Sequence, residues 1–112
     1  MFNKGTVLGS LGQYNESITY FDKMLAIDPN HVDALSYKGL ALDYLGLYNE
    51  SIGYYDRVLA IDPNNVLALI NKGASLAKLG QNEEAIRYFD KVLAIDPNNA
   101  AALDSKRLLT GN

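Results

Sequence analysis

The chain has 112 residues, of which 48% are hydrophobic and 21% charged, with a formal net charge of −3 and no cysteine. This composition is typical of one small globular domain, or of a piece of a longer array, and the acidic balance argues against binding to a nucleic-acid backbone, which needs a concentrated basic face. Without cysteine, a signal peptide or an apolar run long enough to span a bilayer, we expect a cytoplasmic protein with no disulfide, no nucleic-acid partner and no membrane partner.

One hexapeptide, Leu-Ala-Ile-Asp-Pro-Asn, occurs three times, and each copy starts 34 residues after the previous one, at Leu25, Leu59 and Leu93. A fixed period of this length is typical of one supersecondary unit that stacks on copies of itself. The period divides the chain into a first copy, two complete copies and a remainder, at 1–31, 32–65, 66–99 and 100–112. The first copy lacks the start of its first helix, and we expect either a fragment of a longer array or an authentic short start.

The middle copy shows the unit most clearly. Apolar or small residues at steps of three and four from Leu35 to Leu45 predict one helix, which Gly46 ends. A second apolar face from Ile52 to Ile61 predicts another helix, which ends before Pro63. Each unit is therefore predicted to be a helical hairpin.

A glycine recurs inside every first helix, at Gly5, Gly39 and Gly73. Glycine in a helix interior costs about 1 kcal/mol relative to alanine. Its return therefore implies that a neighbouring helix passes too close at this point for a side chain. The tail at 100–112 restarts the first-helix pattern and is predicted to be a short capping helix over the last hairpin.

This pattern resembles the tetratricopeptide repeat. Pro29, Pro63 and Pro97 match the near-invariant proline of that family, and Gly39 and Gly73 match the small residue of its first helix. The resemblance covers essentially the whole chain. It implies an all-α fold, an α-solenoid of stacked antiparallel helical hairpins wound into a right-handed superhelix, with the first helices along the concave surface. It also implies a non-enzymatic scaffold that binds a segment or helix of a partner protein.

Residues that carry catalysis or bind metals elsewhere are scattered here. His31 is the only histidine, and without cysteine or a second histidine it has nothing to share a metal with. Asp28, Asp62 and Asp96 occupy equivalent turns and do not form a paired acid and base. We therefore predict no enzymatic activity, no metal site and no cofactor. The dipeptides Asp22-Lys23, Asp56-Arg57 and Asp90-Lys91 are interpreted as solvated surface charge pairs.

Beside the core face, each first helix carries a second stripe that changes from copy to copy, here called the variable stripe. Architecture demands sameness between stacked units, whereas a ligand does not. Ordinary surface drift and tight packing of a narrow superhelix are the alternative explanations. The stripe and its flanking residues are the predicted groove that binds the partner: Phe2, Asn3, Thr6, Asp33, Tyr37, Leu40, Tyr44, Leu67, Ile70, Asn71, Ala74 and Lys78.

The chemistry of this predicted groove narrows the partner. Its aromatic and aliphatic groups, with carboxylates at Asp33 and Asp43, favour a segment with apolar anchors and one basic residue. The chaperone-binding branch of the family grips a C-terminal carboxylate with lysine, asparagine and arginine side chains. The corresponding positions here lack those cations, so we predict no binding of a chaperone tail; they hold Phe2, Thr6, Tyr37, Leu67 and Asn71.

Two other functions stay open at this point. The first is self-association through exposed end faces or through the groove, because the ends of a repeat stack are apolar. The second is a role as the non-catalytic repeat segment of a larger protein or enzyme.

Overall fold

The computed structural model describes residues 13–111. These residues contain no β-strand and form the helices α1 (Tyr14–Ile27), α2 (Val32–Tyr44), α3 (Tyr48–Ile61), α4 (Val66–Lys78), α5 (Asn82–Ile95) and α6 (Ala100–Thr110). The predicted all-α solenoid of helical hairpins is confirmed, with α2–α3 and α4–α5 as its two complete hairpins. The predicted first helix of the first copy lies outside the described residues.

The turns between hairpins start each new helix with a side-chain cap. Asn65 Oδ1 accepts a hydrogen bond from the Ala68 amide at 2.9 Å, and Asn99 Oδ1 accepts one from Ala102 at the same distance. His31 occupies the equivalent turn and accepts from the Ala34 amide through Nδ1 at 3.2 Å. The single histidine is therefore a helix cap, which satisfies one of the free amides at the start of α2.

The turn inside each hairpin depends on a left-handed glycine. Gly46 has φ +78° and Gly80 has φ +81°. The Leu47 amide then donates to the Leu42 carbonyl at 2.9 Å, as the Gln81 amide does to Leu76. This hydrogen-bond pattern closes the C-terminus of the first helix and reverses the chain into the second.

The glycines inside the first helices face aromatic rings of their own hairpins. A Cβ atom on Gly39 would lie 2.5 Å from Cε1 of Tyr55, and one on Gly73 would lie 2.8 Å from Cε1 of Phe89. Both rings are fully buried in the core. The predicted close approach is therefore confirmed, and its cause is a ring of the second helix that packs directly on the backbone of the first.

Successive hairpins are joined mainly through their first helices. Among the described helices, α2 contacts α4 and α4 contacts α6, whereas α1, α3 and α5 do not contact one another. A row of helices in mutual contact beside a row of separated ones forms the inner side of a curved stack. The first helices α2, α4 and α6 are thus the inner row.

Charged groups staple each second helix to the first helix of the next hairpin. Lys38 pairs with Asp22, Lys72 with Asp56, and Lys106 with Asp90. The three aspartates were expected to belong to surface pairs with their sequence neighbours; in the described residues they pair across helices instead. Lys38 and Lys72 also lie 4.5 Å from the ring centroids of tyrosines that follow, Tyr54 and Tyr88.

These staples hold their lysines in the charged form. Burial alone would lower the pKa of Lys72, but the hydrogen bonds to Asp56 and Tyr88 outweigh it and raise the pKa above its ordinary value. The pKa of Lys38 is raised for the same reasons. The recurrent Lys, Asp and Tyr positions are thus a structural feature that links one repeat to the next.

The last helix packs as a first helix without a following partner. Ala102 is buried and Leu109 packs against the cluster that contains Phe89. Arg107 occupies the position that Gly39 and Gly73 occupy in α2 and α4. Because those glycines admit an aromatic ring and arginine does not, α6 differs from α2 and α4 where a second helix would pack.

Candidate functional site

The part of the variable stripe on α2 combines exposed and packed residues. Asp33 is exposed and Leu40 is half-buried. The ring of Tyr37 is half-buried and stacks on Phe21, with ring centroids 5.9 Å apart. Tyr37 therefore contributes to packing between the first and second copies.

Tyr44 ends α2 and is the most accessible aromatic residue of the stripe. Its side chain is 68% exposed. One face of its ring stacks on Tyr14 at the start of α1, with centroids 4.8 Å apart and planes 10° from parallel. Exposed aromatic rings of this kind are frequent anchors in protein interfaces because they bury a large area with little loss of side-chain freedom.

On α4 the stripe follows the same division. Leu67 is 50% exposed, and Ala74 and Lys78 are also exposed. Ile70 is half-buried and packs against the cluster around Leu69. The exposed positions lie on the same inner row as Tyr44, whereas Ile70, like Tyr37, serves the packing of the stack.

Asn71 is the most unusual polar residue of the stripe. Its Nδ2 atom is buried and has no hydrogen-bond partner among the described residues. Leaving a buried donor unpaired costs about 1–3 kcal/mol. A group that carries this penalty in the free protein is well suited to a ligand that supplies the missing acceptor.

The first copy's part of the prediction cannot be placed in the same way. Phe2, Asn3 and Thr6 lie outside the described residues. The described part of the predicted set therefore belongs to α2 and α4 alone.

A carboxylate at the α2–α3–α4 junction was not among the predicted site residues. Asp43 Oδ1 accepts hydrogen bonds from Ser51 Oγ and, at 2.8 Å, from Ser75 Oγ. Asp43 Oδ2 accepts from the Tyr55 hydroxyl at 2.5 Å. The three donors are fully buried, and Asp43 itself is half-buried. One side chain thus joins both helices of its hairpin to the next first helix.

The sequence held a signal for this cluster. Where the middle copy has Asp43 and Tyr55, the third has Ala77 and Phe89, so the acid and the phenol occur together and are absent together. A hydroxyl and a carboxylate that both depart from the repeat pattern in one copy indicate a direct contact between them.

Burial, and next the hydrogen bond to Asp43, raises the pKa of Tyr55 well above its ordinary value. The folded protein then keeps the phenol proton at a pH where the unfolded chain releases it, near pH 10. Stability from this proton is complete below that pH and is lost as the pH rises above it.

We therefore expect wild type to lose stability relative to Tyr55→Phe above about pH 10, by up to about 1.4 kcal/mol per pH unit. Urea denaturation of both proteins between pH 8 and 11 measures this difference. Because the other tyrosines and the lysines titrate in both proteins, their effect cancels in the comparison. A difference that stays constant with pH would show that Tyr55 ionises alike in both states.

The described residues offer no other chemistry. Among residues 13–111, no group of three or more histidine, aspartate or glutamate side chains is arranged to hold a metal ion. No helix in that range has the length and apolar content to cross a membrane. The features that remain are the exposed stripe, the unpaired Asn71 amide and the Asp43 cluster.

Comparison with solved structures returns helical repeat domains. The first tetratricopeptide domain of Spaghetti (RPAP3), bound to the HSP90 peptide SRMEEVD, superposes with a TM-score of 0.93 at 24% identity, over 98% of this chain and 87% of that one. The Arabidopsis OM64 domain gives 0.93 at 19% identity, over 98% and 91%. YrrB, a repeat protein described as having an unusual peptide-binding site, gives 0.87 at 28% identity, over 92% and 53%.

Sequence comparison gives the same family. No curated protein matches the chain significantly. Family models described as the tetratricopeptide repeat match residues 1–31, 32–65 and 66–99. These matches fall on the three copies of the 34-residue period and cover most of the chain. The chain belongs to the tetratricopeptide repeat family.

Proposed function

We propose that this protein is a non-enzymatic interaction module that binds an extended segment of a partner protein along the inner row of helices. The observation that carries the proposal is the unpaired, buried amide of Asn71, which lies on α4 between the exposed Leu67 and Ala74. A free protein gains nothing from such a donor, whereas a bound main chain supplies a carbonyl acceptor at every residue.

The surrounding surface supports the same proposal. Tyr44 and Leu67 are large, apolar and more than half or about half exposed, at 68% and 50%. They lie on helices α2 and α4, which contact each other on the inner side of the stack. Two apolar anchors with a hydrogen-bond donor near them favour an extended peptide that inserts side chains and pairs its backbone.

Relatives with this fold bind peptides. The RPAP3 domain is described in complex with an HSP90 peptide, and YrrB is described by its peptide-binding site. Their ligands are not transferred to this chain, because the groups that contact a ligand differ between members of a repeat family. The general role of holding a segment of another protein is what we infer from them.

The proposal is tested by selecting peptides from a random displayed library and measuring their affinity by titration calorimetry. Leu67→Ala is expected to weaken binding at least tenfold, since it removes a central anchor. Ile95→Ala is the matched control, because Ile95 is 45% exposed but belongs to α5, outside the inner row. Equal losses for both variants, or a library that yields no binder, would overturn the proposal.

We expect the acidic peptide SRMEEVD not to bind, with a Kd above about 1 mM. The five positions that correspond to the carboxylate clamp hold no lysine or arginine, and the protein's net charge is −3. Calorimetry of this peptide with the protein, and with the RPAP3 domain as positive control, measures the difference. Micromolar binding would show that the peptide carboxylates are neutralised by groups other than the clamp cations.

Replacing Asn71 with leucine is expected to separate stability from binding. The variant removes a buried donor that has no partner, so its free energy of unfolding should rise by about 1 kcal/mol. A library-selected peptide should bind it at least tenfold more weakly, because the carbonyl that Asn71 meets in the complex is left unpaired. Denaturation and calorimetry on the same samples measure both effects. A variant that loses stability and keeps its affinity would contradict this role for Asn71.

A further inference from the structure

The negative charge of Asp43 is not neutralised within the described part of the chain. Its partners Ser51, Ser75 and Tyr55 are neutral hydroxyl donors. No lysine or arginine among residues 13–111 forms an ion pair with it, whereas Asp22, Asp56, Asp90 and Asp104 each pair with one. Asp43 is thus a half-buried carboxylate, fixed in position and without a counter-ion.

The hydrogen-bonding capacity of this carboxylate is also incomplete. A carboxylate accepts about four hydrogen bonds, and Asp43 receives three, two at Oδ1 and one at Oδ2. All three donors are fully buried, and Asp43 keeps partial exposure. The remaining acceptor position, at Oδ2, is therefore available to a donor that approaches from outside the core.

The residue that follows Asp43 supplies a flat surface. One face of the Tyr44 ring is covered by Tyr14, and the side chain as a whole is 68% exposed, so the other face is open. A guanidinium group stacks on an aromatic face and donates hydrogen bonds to a carboxylate in the same plane. An ammonium group makes the charge contact but not the planar stack.

We propose that Asp43 and Tyr44 form a recognition site for one arginine side chain of the partner segment. This inference rests on the proposed function, and it adds the chemistry of the partner. The equivalent positions of the third copy are Ala77 and Lys78, which cannot bind an arginine. Because the complete pair stands only in the middle copy, the arginine sets the register of the bound segment.

The test uses random peptides displayed on phage and selected against the wild-type protein. The selected peptides are expected to share one arginine at a constant distance from an apolar residue. Fluorescence anisotropy of one such synthetic peptide should show at least tenfold weaker binding when its arginine is replaced by glutamine, and an intermediate loss with lysine. Asp43→Asn in the protein should weaken the arginine peptide by a similar factor and leave the glutamine peptide unchanged.

A second variant keeps the test independent of folding. Tyr44→Ala removes the open ring without touching the buried hydroxyl cluster, and it should also weaken the arginine peptide more than the glutamine peptide. Peptides that bind in a Leu67-dependent manner but share no arginine would overturn the arginine site and leave the proposed function in place. A library that yields no binder would overturn both.

Discussion

Replacing Gly73 with alanine is expected to lower the free energy of unfolding by about 1–3 kcal/mol, even though alanine is the better helix former. The new Cβ would lie 2.8 and 2.9 Å from Cε1 and Cζ of Phe89. Phe89 is 1% exposed and belongs to the cluster that joins α4, α5 and α6, so its ring has no space to move into. Relief of this contact requires the two helices of the hairpin to separate.

Gly53 provides the matched control for this substitution. It lies inside α3, and a Cβ at this position would meet nothing within 4 Å. Gly53→Ala should therefore raise the free energy of unfolding by about 0.5–1 kcal/mol. Urea denaturation of the two variants measures both changes. If Gly73→Ala proved as stabilising as Gly53→Ala, the ring would not be fixed against the backbone, and the explanation for the recurrent glycine would be wrong.

Asp43→Ala is expected to destabilise the protein by about 1–3 kcal/mol, because it leaves the buried hydroxyls of Tyr55, Ser51 and Ser75 without their acceptor. Adding Tyr55→Phe should recover much of this loss, since removing both partners of a buried hydrogen bond is nearly neutral. The double variant reproduces the Ala77 and Phe89 pair of the third copy.

A double-mutant cycle over Asp43→Ala and Tyr55→Phe measures the coupling between the two residues by equilibrium denaturation. The expected coupling is about 1 kcal/mol or more, in favour of the wild-type pair. Additive effects of the two substitutions would contradict the direct contact between the carboxylate and the phenol.

The architecture could be predicted from the sequence because it depends on local signals that recur. Gly46 ends a helix wherever its left-handed conformation is needed, and Pro63 limits the helix before it; both predictions are confirmed by the ends of α2 and α3. The recurrent glycine was correctly explained by a close neighbour. Each of these signals acts within one hairpin, and a period of 34 residues repeats it at every copy.

Contacts between hairpins were harder to predict. Asp22 was assigned to a pair with the next residue, but it pairs with Lys38 of the following first helix, because stacking brings these two faces together. The Asp43 cluster joins three helices, and the unpaired state of Asn71 depends on what surrounds its amide. A residue pattern shows which positions depart from the repeat, whereas the identity of their partners depends on how the hairpins pack.

The most direct test of peptide binding by the inner row is a titration of the ¹⁵N-labelled protein with a library-selected peptide, followed by amide chemical shifts. We predict that the largest shift changes fall on α2 and α4, at and around Tyr44, Leu67 and Asn71, with a side-chain amide signal of Asn71 that moves on binding. Changes confined to the outer row of α1, α3 and α5, or to α6, would contradict the proposed binding surface.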